Sequence, residues 1–313
     1  MKTNSKKPAV RSTRQKTTRK RGGAKRGGSF LAGALFVLVI ALAYFFAGDY
    51  LFPQGSRGVA VPAATGEIIV SFIDVGQGDA VLLRSVDNAI LIDAGDHRAR
   101  NIVLDYLREA GVSRLCYVVA THPHADHIGG MVQVLRDLEI GRVLMPDVTN
   151  DTDTFEFFLE AIENNNIPVT IPEPGDVFRA GIIVLTTKGP APGRHSNINN
   201  ASLVMRMEHG ATSFLFTGDA ETAAENWMVA NAPNLRSTVL DLGHHGSRTS
   251  NTEAFLDAVA PDIAVIQVGA NNRFGHPSPE VIERLEARGV AIYRTDELGT
   301  IRMITDGQTI QFP

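Results

Sequence analysis

The sequence has a single cysteine, Cys116, among 313 residues. No disulfide within the chain can form, and the redox compartment cannot be read from it. Leu115 and Tyr117-Val118-Val119 flank it, which reads as a small residue in a buried strand and not as a thiol nucleophile. Acidic residues are missing from positions 1–26, where eleven of the 30 Lys and Arg lie. Lysine is almost missing from the rest: Lys188 stands alone there, and the other cations are arginines. All 34 acids therefore face 19 cations beyond residue 26, a net of −15 behind a basic arm. A body so charged is a poor general partner for duplex nucleic acid, whose affinity comes largely from Lys and Arg neutralising phosphates. No repeat of solenoid or propeller length occurs.

Residues 1–28 mix Lys, Arg, Ser, Thr and Gly without an apolar period, the composition of a disordered arm. Phe30 to Gly48 carries no charge. At about 1.5 Å per residue such a helix reaches roughly 28 Å, near the thickness of a bilayer's hydrocarbon core. Tyr44 and Tyr50 lie toward its outer end, where amphipathic rings favour the interface. The stretch exceeds the apolar region of a cleaved signal peptide, roughly 7–15 residues. Val61-Pro62-Ala63 still reads as a loose cleavage motif, so a secreted form is the alternative. The expected order is a basic cytoplasmic arm (1–28), one N-terminal transmembrane helix (29–52), a linker rich in Gly, Pro, Ala and Ser (53–66) and a domain over 67–313. A cationic arm stays in the cytoplasm, which puts the domain outside it. Its charges would also lie against anionic lipid of the inner leaflet.

From Glu67 onward, short β-branched runs such as IIVSFIDV, AVLL, AILID, CYVVA, SLVMRM, SFLFTGD, TVLDL and IAVIQV alternate with helical patterns. The latter cover 98–110, 129–138, 154–164, 220–230 and 278–287. Hairpin-like pairs mixed with helices imply a layered α/β domain whose sheet is not purely parallel.

Thr121-His122-Pro123-His124-Ala125-Asp126-His127-Ile128-Gly129-Gly130 follows the apolar run LCYVVA and precedes a helical pattern. Three imidazoles and a carboxylate within six residues at a strand end are hard to explain as core or surface chemistry. A tight loop of this spacing turns His122 and His124 toward one metal, and Asp126 and His127 toward a second position. Imidazole and carboxylate suit Zn, Mn or Fe over a soft-ligand site. Asp219 ends the run SFLFT, where capping the following helix is the plainer reading. Gly76-Gln77-Gly78-Asp79 is turn-rich in its own right. His97 and His209 carry no signal, and His195 sits in a Gly/Pro/Asn loop.

H-x-H-x-D-H resembles the hallmark of the metallo-β-lactamase fold superfamily. Within it, the chain is most similar to the extracytoplasmic hydrolase domain of the ComEC competence proteins. That likeness rests on FIDVGQGDA (72–80), LIDAG (91–95), NNASLV (199–204), FTGD (216–219), GHHGS (243–247), FGHPS (274–278) and YRTDELG (293–299). It covers residues 67–313 and leaves out the large membrane channel portion of those proteins. The resemblance implies an α/β fold, an αββα sandwich. It implies one or two divalent metal ions, Zn or Mn, held by His122, His124, Asp126, His127, Asp219 and His244, with Asp219 bridging and His244 completing the Asp126/His127 site. His245 is then a substrate-contacting or indirectly acting imidazole, its role exchangeable with that of His244. Asp93 braces the ligand loop, and Asp74, Gln77 and Asp79 edge the site. His276 faces substrate, and Asp126, His245 and His276 do the chemistry. Many members supply a third histidine to the first metal from the block before the bridging Asp. Here that block reads Asn199-Asn200-Ala201-Ser202, and amide or hydroxyl is a poorer Zn ligand than imidazole.

The chemistry so implied is metal-assisted hydrolysis. Two divalent ions outweigh Asp126 and Asp219, which favours an anionic substrate. Asn200, Ser202, Ser247 and Arg273 are the expected substrate contacts. A phosphodiester is the expected substrate, with DNA the one the resemblance implies, although the acidic body suits a short oligonucleotide, a lipid head group or a cell-wall phosphodiester better. A lactone, thioester or β-lactam is the alternative bond, and a non-catalytic binding module on the same fold the alternative role.

Overall fold

Ile68, Val70 and Phe72 alternate with Ile69 and Ser71 along one strand, and period two becomes sidedness: all three enter one buried layer. Val81 and Leu83 do the same on the next strand, while Leu82 faces the opposite way into a second apolar cluster. A strand covered on both faces is apolar almost throughout, as AILI at 89–92 is. The structure is a computed structural model that describes residues 66–312. The expected arm, transmembrane helix and linker therefore lie, but for the linker's last residue, outside the described residues. Among the described residues no helix is long and apolar enough to cross a membrane.

Among the described residues the strands form a small parallel pair, Arg114–Leu115 with Glu139–Ile140, and two mixed sheets. One runs from edge to edge as Ile310–Gln311, Ile301–Thr305, Ile68–Phe72, Val81–Arg84, Ala89–Ile92, Tyr117–Val119, Val143–Leu144 and Val169–Thr170. The other runs Ala291–Arg294, Ile263–Ile266, Val239–Asp241, Thr212–Phe216, Val204–His209, Ile183–Gly189 and Val177–Ala180. In each, antiparallel pairs give way to parallel ones partway across. Between the sheets lie Ile68, Val70, Phe72 and Ile90 from one, and Met205, Met207, Phe214 and Phe216 from the other. Helices Arg100–Glu109, Met131–Asp137 and Asp153–Asn164 cover the first sheet's outer face. Thr222–Asn231, Glu253–Val259 and Pro279–Glu286 cover the second's. The layers are thus helix, sheet, sheet, helix.

The five expected helical stretches each coincide with a helix, with ends shifted by at most two residues. Helix Glu253–Val259 was not among them. Its start is marked by Thr252, whose hydroxyl accepts from Phe255 N at 3.4 Å.

Candidate metal centre

The chemistry-bearing loops leave the C-terminal ends of neighbouring strands on one edge of the sandwich, where α/β sheets bind ligands. Ala89–Ile92 delivers Asp93, Tyr117–Val119 the loop from Thr121 to His127, and Thr212–Phe216 delivers Asp219. Val239–Asp241 delivers His244 and His245, and Ile263–Ile266 delivers Gln267. Two close approaches demand glycine. A Cβ on Gly78 would stand 2.3 Å from the Asp126 carbonyl oxygen, and one on Gly218, at φ +50, would stand 2.8 Å from Thr121 Cβ.

Asp219, 2% exposed, is the hub. Its Oδ1 lies 3.2 Å from His127 Nε2 and 3.7 Å from His245 Nε2. Its Oδ2 lies 3.5 Å from His122 Nε2 and 3.6 Å from His244 Nε2. His245 Nε2 is also 3.5 Å from Asp126 Oδ2. Of the four groups of ligand atoms among the described residues with all members within 4.8 Å, two draw two members each from the loop that starts at His122: His122, His124 and Asp219, then Asp126, His127 and His245. Asp79 joins the others, with Asp219 and His245 and with Asp93 and His127. His127 Nε2, His245 Nε2 and Asp219 Oδ1 are buried without a hydrogen-bond partner. Unpaired buried polar atoms are costly, so three of them converging is what a cation-binding cage requires. Hard-to-intermediate donors of this kind fit a divalent ion such as Zn or Mn.

The far nitrogens of these rings are held. Asp93, fully buried at φ +54, accepts from His127 Nδ1 at 2.8 Å and from Thr121 N and Oγ1 at 2.9 and 2.6 Å. His245 Nδ1 donates to the Gln267 carbonyl at 2.9 Å, with Asp79 Oδ1 at 3.1 Å. Such partners set tautomer and ring angle. Burial pulls the His127 imidazole down, yet Asp219 and Asp93 hold it well above the ordinary range. Burial likewise opposes, and Asp219 and Asp79 raise, that of His245. Burial pushes Asp219 up, but His127, His245 and His122 keep it well below the usual carboxylate range. His124, pulled down to about 4, owes this to burial and then to His122. His276, also at about 4, owes it to burial and then to His244 and His245.

The third partner of Asp126 and His127 is His245, where His244 was the expectation, because consecutive left-handed residues send the two rings to different sides. Nor are Asn200 and Ser202 placed as substrate contacts. Asn200 Oδ1 accepts from Glu221 N at 3.3 Å and Ala224 N at 3.0 Å, capping the helix after Asp219. Ser202, fully buried, accepts from Asp219 N at 3.2 Å. Ser247 is buried and bonded to Thr249. Asp74 makes a turn, accepting from Gly76 N at 3.0 Å. Gln77 Oε1 accepts from Gly269 N at 3.2 Å, tying the hairpin to the far loop. Arg273 is exposed, its guanidinium 4.9 Å over the Phe274 ring, and His276 packs its ring 5.5 Å from His244 and 6.4 Å from His245. His195 bonds Ala191 O and joins neither ligand group; His97 pairs with Asp96, and His209 bonds Gly66 O. Cys116 is half-buried, with Sγ 3.4 Å from Asn88 Oδ1.

Sequence reasoning passed over Glu221, Gln267 and Asp241. Glu221 Oε1 accepts from Asn199 Nδ2 at 3.0 Å and Thr249 Oγ1 at 3.1 Å. Gln267 accepts from Ala80 N at 2.9 Å and donates to both oxygens of buried Asp241. Burial, and then Asp79, push Asp241 well above the carboxylate range. No local motif marks these residues; Asp241 closes strand Val239–Asp241, Gln267 directly follows Ile263–Ile266, and Glu221 lies two residues after Asp219.

The model of the metallo-beta-lactamase superfamily matches residues 73–269. ComE operon protein 3 of Bacillus subtilis is 30% identical over 262 residues, 77% of this chain and 33% of that protein. Competence protein ComA of Neisseria gonorrhoeae is 32% identical over 248 residues, 79% of this chain and 33% of that one. The chain thus spans about a third of the length of these relatives. Among solved structures, the metallo-beta-lactamase fold protein YhfI from Bacillus subtilis superposes with a TM-score of 0.51 at 12% identity, covering 77% of this chain and 100% of that one.

Proposed function

This chain belongs to the metallo-beta-lactamase superfamily, as a metallo-hydrolase related to the ComEC competence proteins, and from that premise we propose that it hydrolyses phosphodiesters. His122, His124 and Asp219 would hold one cation, and Asp126, His127 and His245 a second that shares Asp219. The observation that carries this reading is the set of unpartnered, buried ligand atoms on His127, Asp219 and His245. Divalent ions held there supply Lewis-acid polarisation and make water acidic enough to attack near neutral pH.

The protein's own residues do the rest. Asp219 keeps the two halves of the cage in register by turning one oxygen to each. Asp93 and Gln267 lock the ring angles of His127 and His245. His276, held neutral at pH 7 by its surroundings, sits above the cage and can donate an N–H to a non-bridging phosphate oxygen. The acidic body supports a small or single-stranded diester over duplex DNA. A relative named as a competence protein, ComA, supports a place in DNA uptake.

A panel of bis-p-nitrophenyl phosphate, oligonucleotides, a chromogenic β-lactam and a lactone, each with Mn or Zn, tests the bond. Cleavage of the diesters is expected, and it disappears in His122→Ala and Asp126→Ala. Turnover of the β-lactam or lactone alone would reassign the reaction. Full biological function from the doubly substituted protein would make it a binding module. The uncharged Phe30–Gly48 segment and the basic arm support an anchor with the domain extracytoplasmic. Protease shaving of intact cells should release the domain; protection would reverse the topology.

A further inference from the structure

We propose that His244 supplies a third imidazole to the His122–His124 cation, and that Glu221 is the positioning residue that aims it. The inference rests on the cation-binding reading above and divides its ligands differently from the sequence. His244 Nε2 lies 3.6 Å from Asp219 Oδ2, the oxygen that also faces His122 Nε2 at 3.5 Å. Donors around one tetrahedral cation, at bond lengths of about 2.0–2.2 Å, stand roughly 3.4 Å apart. Its neighbour His245 approaches the other oxygen, Oδ1, and Asp126.

Adjacent residues reach opposite sides of one carboxylate because both are left-handed, at φ 53 and 55, with their rings 68° apart. Such backbone is disfavoured for residues with a side chain and persists where the surroundings enforce it. Here Asn251 enforces it, accepting from Gly243 N at 3.1 Å and donating to Gly243 O at 2.9 Å.

His244 Nδ1 is 3.3 Å from Glu221 Oε1 and 3.2 Å from Thr249 Oγ1. A proton held on Nδ1 leaves the Nε2 lone pair facing Asp219, the arrangement of a ligating histidine with its carboxylate partner. Glu221 is fixed in turn by Asn197 Nδ2 at 2.7 Å and Asn199 Nδ2 at 3.0 Å. The Asn-rich block that has no imidazole to offer thus supports one from another loop. His244 belongs to no set of ligand atoms all within 4.8 Å, so its ring must move inward onto a cation.

Titration of the full-length protein with Co(II), read by visible absorption and calorimetry, tests this. In the wild type, two binding events are expected. His244→Ala should weaken one event by about 10–100-fold, His245→Ala the other, and the double variant both. Glu221→Ala should weaken the same event as His244→Ala by about tenfold, and Glu221→Gln, which keeps one acceptor but sets an amide donor against Asn197 or Asn199, should restore only part of the loss. Thermal melts of the metal-free variants separate lost ligation from lost fold, and His244→Gln serves if the alanine variant does not fold. The inference is overturned if His244→Ala leaves all binding intact or weakens the event that His245→Ala weakens. A wild type that binds no divalent cation would instead sink the hydrolase reading.

Discussion

Asp93 belongs to neither of the two ligand sets proposed above, yet it terminates three hydrogen bonds that aim His127 and close the loop at Thr121. Asp93→Ala should therefore lower divalent-cation affinity by about 10–100-fold with the ligand set intact, measured by calorimetry. Asp93→Asn should fare little better, because the amide presents a donor to one of the donors the carboxylate receives. Proton traffic gives a second prediction. His127 and His245 are raised well above the ordinary histidine range in the metal-free protein, Asp219 being the largest opponent of burial in each. A cation must displace those protons, so affinity should climb as pH rises through neutrality. The binding enthalpy should vary with the buffer's ionisation enthalpy. No such dependence would mean the cage is already deprotonated.

At the level of elements, the turn Gly243–Gly246 is where strain and support meet. Asn251 clamps it, and Glu225, buried in helix Thr222–Asn231, accepts from Thr252 N at 2.9 Å and also from Asn251 N. Glu225→Ala leaves both amides without a partner. It should cost about 2–3 kcal/mol in urea unfolding and loosen the turn that carries both histidines. Helices long enough to show a period, such as Asp153–Asn164, could be read directly from the sequence, and the apolar runs marked most strands of both inner faces. Two-residue strands such as Val143–Leu144 and Val169–Thr170 could not. They exist because a neighbouring strand offers its edge, which is a property of the sheet.

Across the whole molecule the decisive quantity is charge. Beyond residue 26 the chain carries −15, and the candidate cage is a small cationic spot in that field once loaded. Like charges repel over roughly 10 Å at 0.1 M salt and farther when salt is low. For a long polyanion such as DNA, kcat/KM should rise as monovalent salt increases from about 20 to 150 mM, since screening relieves the repulsion. A small diester should show little change. A fall with salt for DNA would reveal a basic track that the composition does not suggest.

Local order was written along the chain: the H-x-H-x-D-H loop, the strand runs, the asymmetry of charge and the strand-tip position of Asp219 all depend on neighbours in sequence. Periodicity and ligand spacing are short-range properties, so one dimension suffices for them. The division of labour between His244 and His245 was decided only in three dimensions, as were the use of Asn200 as a cap and the parts played by Glu221, Gln267 and Asp241. Each of these depends on backbone handedness at a turn or on contacts between loops up to 187 residues apart, as for Gln267 and Ala80. No window along the sequence contains both partners.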